Sequence, residues 1–212
     1  MRPTPGQLFA ALPDAITTAI FASAWIAPEQ LGPAWVKDLM LVMLMEFLVM
    51  HASGMATGIG DSGFSRAGRV GLWTGLTAVY ALFVAIFAWS FESIWPVYAF
   101  AWLFLGRFAH LWTRPDGASR FAENNLWVGS AMTYICGGIL TAVVPLPEFG
   151  VTPAFVASMQ LAGGGIWVEQ PQSVLAFGTF YFAVQAWLKY AKAAAGNASA
   201  ASARRDVVAR RA

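Results

Sequence analysis

From Val70 to Ser90 the sequence carries no charged residue, and that stretch constrains the fold more than any other feature of the chain. At about 1.5 Å of rise per residue, a helix over it matches a hydrocarbon core of about 30 Å. Comparable apolar runs fall at roughly 8–27, 34–57, 94–112, 125–144 and 172–190, each near the ~20 residues a membrane crossing requires. The expected fold is therefore all-α: an integral membrane bundle of six transmembrane helices. Its first span is the weakest, because Pro13 and Asp14 interrupt it and Thr17 and Thr18 dilute it.

Composition agrees with this reading. Hydrophobic residues make up 58% of the 212 positions and charged residues 11%, where a soluble domain carries about a quarter charged. Aromatic residues at 15% and a mean hydropathy of +0.58 exclude a disordered or collagen-like chain and an ordinary water-soluble domain. The lone Cys136 excludes an intrachain disulfide framework, a CxxC redox pair and an all-cysteine metal site.

Turn chemistry marks the ends of the runs. Pro28 and Gly32-Pro33 separate the first two, Gly58 to Gly68 the next two, and Arg114-Pro115-Asp116-Gly117 a later pair. The link Phe91-Glu92-Ser93 is short enough to require an antiparallel neighbouring pair. The chain divides into a membrane domain, 1–192, and an Ala-rich basic tail, 193–212, suited to anionic lipid.

Charge sets the expected orientation. With a cytoplasmic N-terminus, every one of the 13 Lys and Arg except Lys37 falls on an inner segment or inner helix end, a strong positive-inside bias. Both termini are then cytoplasmic, the loop 145–171 is external, and the location is a prokaryotic inner membrane. Trp25, Trp35, Trp89, Trp95 and Trp167 fall at outer ends and Trp73, Trp112, Trp127 and Trp187 at inner ends, where indoles settle at headgroup depth. The same distribution makes the net charge of +2 a topology signal, so no nucleic-acid partner is expected. Ala22-Ser23-Ala24 has the small residues of a leader cleavage site, but Pro13, Asp14 and a single Arg2 suit a retained span better.

Few residues are expensive to keep in lipid. Glu46 lies about 12 Å inward of Asp38, near the midplane. Arg107, about 16 Å inward of Pro96 on a parallel run, is its candidate partner, with snorkelling to the inner headgroups as the plainer role. His110 shares the face of Arg107. His51 has comparable depth but is turned about 140° from Glu46, whereas Ser53 matches the Glu46 face. Glu46, Arg107, His51, His110 and Ser53 form the candidate interior site. Tyr134, and Tyr181 with Gln185 one turn further along, could add polar groups to it or serve as interhelical glue.

No catalytic motif is present. Ser53-Gly54 lacks the G-x-S-x-G frame, Gly58-Ile59-Gly60 lacks a nucleotide-loop context, and neither His has metal-ligand spacing. His51 and His110 at matched depth admit haem b as cofactor; otherwise no cofactor and no metal are expected. Gly54-x-x-x-Gly58 and Gly71-x-x-x-Gly75 allow close helix approach. The external loop 145–171, with its short apolar stretch 154–162, is either a packed cover or a lid. Three functions remain: binding or translocation of a small solute or proton, an accessory subunit within a homo-oligomer or larger membrane complex, or a haem electron carrier.

Overall fold

The structure, a computed structural model, describes residues 5–90, 92, 94, 96–98, 100–101, 117–161 and 164–209; side chains at 5–10, 53, 56–57, 60–61, 117–126 and 192–209 also lie outside the description. The regular elements among the described residues are all helices, without strands. The elements are α1 (Pro5–Ile26), a 3-10 turn (Pro28–Gln30), α2 (Pro33–Asp61), α3 (Arg66–Ser90), α4 (Gly117–Val143), the short α5 (Pro153–Met159) and α6 (Ile166–Glu169), and α7 (Pro171–Ala209).

Proline opens most of these elements, because its missing N–H costs nothing where no carbonyl awaits it and its fixed φ suits the first helical residue. Pro33 follows Gly32 at φ 86, and Pro153 follows Thr152, whose hydroxyl accepts from the Phe155 N–H at 3.3 Å. α3 begins at a serine cap, with the Gly68 N–H donating to Ser65 Oγ at 3.2 Å. Inside the helices, Thr17, Thr74, Thr133, Thr141 and Thr179 each donate to the carbonyl four residues earlier. Hydroxyls satisfied within their own helix add no polar demand to an apolar surrounding.

α7 is the organising element. It packs most extensively against α1, then α4, and also touches α2 and α6. Gly178 lies beneath the Phe21 ring of α1, where an added Cβ would overlap the ring. Gly137 on α4 seats Phe177 and Phe180 in a similar way, and a Cβ placed there would meet carbons of both rings at 3.0 Å. Phe21, Phe177, Tyr181 and Phe182 then form one aromatic core with Tyr134 of α4 and with Val36, Met40 and Met43 of α2. The weakest run in the sequence is thus central to the packing, with Phe21 and Ala24 fully buried.

A second, smaller cluster, Met45, Leu48, Tyr80 and Val84, joins α2 to α3. Gly54 of α2 lies against the Trp127 indole of α4, which donates to the Met50 carbonyl at 2.8 Å. The small-residue reading of Gly54 therefore describes a real close approach. At Gly58, Gly71 and Gly75, by contrast, a side chain would meet open space among the described residues.

Part of the connection 145–171 is packed into the core. Val151, Phe155 and Met159 are buried in the main cluster, and α5 packs on α2. Trp25 Nε1 donates to the Pro147 carbonyl at 2.9 Å, and its ring meets Phe149 edge-on at 5.0 Å. Gly150 is pinched against Pro28 and the Ile26 carbonyl, leaving no room for a side chain.

Among the described residues one helix, α3, is long and apolar enough to cross a membrane, with a hydropathy of 2.0; Ala11–Ile26 and Trp127–Val143 are shorter apolar helices. The all-helical class expected from the sequence stands. The expected run 94–112 lies largely outside the described residues, as does most of its short link to α3.

Candidate interior polar site

α7 carries three polar side chains at intervals of four residues, Tyr181, Gln185 and Lys189, which this spacing stacks on one face. Each meets a different helix. The Tyr181 hydroxyl donates to Glu46 Oε1 of α2 at 2.7 Å. Ser130 Oγ of α4 donates to Gln185 Oε1 at 2.9 Å. Lys189 Nζ lies 2.6 Å from Asp14 Oδ2 of α1. Together these contacts form a polar seam through the bundle, about 12 Å long at helical rise.

The seam is enclosed unevenly. Tyr181, Gln185 and Asp14 are buried, Glu46 is half-buried, and the Lys189 side chain at 45% exposure opens one end to the surroundings. Tyr134 flanks the Glu46 end, its ring 5.4 Å from Tyr181 and its hydroxyl donating to the Met43 carbonyl at 2.8 Å. It is within electrostatic range of Glu46, as Asp14 is of Tyr181. The Asp14 carboxylate, which made the first run look poor, is thus held by a cation one helix away.

Glu46 is half-buried and bonded to Tyr181. His51 does not join it: its side chain is exposed, with the ring 5.0 Å from Phe47, as the angular offset along α2 dictates. Ser53 lies on α2 with its side chain outside the description. Arg107 and His110 lie outside the described residues, and with them the pairing of Arg107 with Glu46 and the haem arrangement of His51 with His110. Cys136 is exposed on α4 and takes no part in the seam. Among the described residues no group of His, Cys, Asp or Glu is arranged to hold a metal ion.

Sequence reasoning missed Asp14, Ser130 and Lys189 as members of the site. The usable signal was the four-residue repeat of polar groups in an otherwise apolar α7; what it lacked was the identity of the facing helices. No family model, curated protein or solved structure matches the chain.

Proposed function

We propose that this chain is a multi-pass protein of a prokaryotic inner membrane, with six spans and cytoplasmic termini, that binds and passes a small solute or proton at an interior site centred on Glu46. The observation that carries the reading is the Glu46–Tyr181 hydrogen bond inside a helical bundle, continued by Gln185 and Ser130 to the Asp14–Lys189 pair. Ionisable groups in a membrane interior are costly, and they are retained where they handle ions, protons or polar ligands.

The surface supports the membrane half of the proposal. Val70, Val79, Leu82, Phe83, Ile86 and Trp89 of α3 are exposed, as are Ile135, Ile139, Leu140 and Val143 of α4. Exposed apolar side chains in such number are stable against lipid tails and costly in water. The alternation of Trp and the segregation of Lys and Arg support the orientation.

The test is flux in proteoliposomes of the full chain. Purified protein should dissipate an imposed pH or solute gradient, and Glu46→Gln should abolish the flux while the protein still folds. A tight seal in wild-type vesicles, combined with co-purification of a larger complex, would replace this reading with that of an accessory subunit whose polar seam only locks helices together.

A further inference from the structure

Gln185 is 8% exposed, and only one end of its amide is satisfied among the described residues: Oε1 accepts from Ser130, while the buried Nε2 has no hydrogen-bond partner. Turning the amide over exchanges the two ends without cure, because Ser130 can serve only one of them. A buried amide with a free end is costly, and leucine or methionine would fill the same volume without that cost.

We propose that the free end of Gln185 holds a water molecule, that this water completes a proton path from Asp14 and Lys189 to Glu46, and that the cargo of the interior site is the proton itself. The inference rests on the membrane reading above and specifies its substrate and its side of access. A buried water makes about three hydrogen bonds. Ser130, the Tyr181 hydroxyl one turn away and the Asp14–Lys189 pair one turn away on the other side supply polar groups at helical spacing.

The packing favours a proton over a solute. Glu46 and Tyr181 are in direct contact at 2.7 Å, and the rings of Tyr134, Phe177 and Phe182 pack on the Tyr181 ring. The Tyr181 hydroxyl bonds Glu46 and Lys189 pairs with Asp14, while Tyr134 lies within electrostatic range of Glu46 and Asp14 within range of Tyr181. At the half-exposed Lys189 end, cytoplasmic by the charge bias, a proton reaches the Gln185 water, and that water gives up one of its own protons toward Glu46. The carboxylate gains the proton and becomes a neutral acid. A proton leaving Lys189 breaks an N–H bond that water at the exposed end restores, and the later steps exchange O–H bonds, so no co-reactant is required.

The experiment compares wild-type, Glu46→Gln, Gln185→Met and Asp14→Asn proteins in liposomes with a trapped pH dye and a potassium diffusion potential. Thermal stability is measured alongside, as is the infrared carboxyl band that Glu46→Gln removes. The expected result is proton flux in the wild type, none in Glu46→Gln, and a loss of at least tenfold in Gln185→Met. In that variant Tm is held or raised and the Glu46 band persists. Asp14→Asn, which keeps a polar group beside Lys189, should lose flux to a similar degree.

Wild-type flux in both Gln185→Met and Asp14→Asn, with Glu46→Gln still inactive, would overturn the path and leave the Glu46 site standing. A lowered Tm in Gln185→Met with unchanged flux per folded protein would reduce Gln185 to helix glue and overturn the proposal. A sealed wild-type vesicle with a Glu46 band that does not respond to pH would remove the functional reading itself.

Discussion

Tyr181 and Glu46 are 135 positions apart, so nothing local holds the hydroxyl to the carboxylate; the helices must. Tyr181→Phe removes a hydrogen bond to an acidic group at a partly buried position and should cost about 1.5–3 kcal/mol. In a double-mutant cycle with Glu46→Gln, measured by thermal unfolding in detergent, the coupling should exceed about 0.5 kcal/mol. Additivity within that margin would mean the bond contributes nothing to the fold. The Asp14–Lys189 pair should behave asymmetrically. Lys189→Met strands a buried carboxylate, whereas Asp14→Asn leaves a neutral amide in its place, so the lysine variant should be the less stable of the two; exposure of Lys189 keeps the difference to about 1–2 kcal/mol. Equal losses would show that the carboxylate finds water without its cation.

At the scale of the element, helix contacts are set by where a ring can lie against bare backbone. Phe21 over Gly178 and Trp127 over Gly54 are the two tightest such crossings between helices among the described residues, joining α1 to α7 and α4 to α2. Gly178→Ala should destabilise by about 1–3 kcal/mol through overpacking, and Phe21→Leu in the same chain should recover part of that loss. A silent Gly178→Ala would mean that α1 is free to move off α7. These crossings also show what could be read in advance. Gly54 belonged to a visible small-residue motif, and its close approach was legible; Gly178 stands alone between Phe177 and Thr179, and no spacing marked it. Glu46 was legible because a carboxylate within an apolar run needs a partner. Its partner Tyr181 was visible as a polar group on the last run, but the pairing depends on which face of α7 meets α2, and hydropathy does not encode rotation about a helix axis. Asp14 misled for the opposite reason: as a local feature it weakened a span, and only the distant Lys189 makes it an asset.

At the scale of the whole molecule, orientation is testable without any assay of function. In a Cys136→Ser background, a membrane-impermeant thiol reagent applied outside should label a cysteine at Glu148 and leave one at Ser65 unmodified, following the distribution of Lys and Arg. The opposite pattern would place Lys189 on the outer face and reverse the side from which the seam is reached. The packed connection 145–171 predicts a second whole-molecule effect. Replacing Gly150 with valine forces Pro28 and the Ile26 carbonyl apart and should loosen the closure between α1 and the segment leading to α5, read as faster proteolysis of the 145–171 region in detergent.

α7 remains one unbroken helix from Pro171 to Ala209, 39 residues in all, or about 58 Å of rod against a hydrocarbon core of about 30 Å. A rod of that kind keeps phase. One alanine inserted after Gln185 advances everything beyond it by about 100°, carrying Lys189 off Asp14 while Tyr181 keeps its bond to Glu46. The same alanine inserted after Lys192 leaves all three seam residues in place and turns Arg204 and Arg205 by that angle instead. Comparing the two insertions separates the helix as a wall of the bundle from the helix as a shaft: torque applied to the basic end would be felt, turn for turn, at the groups that line the interior.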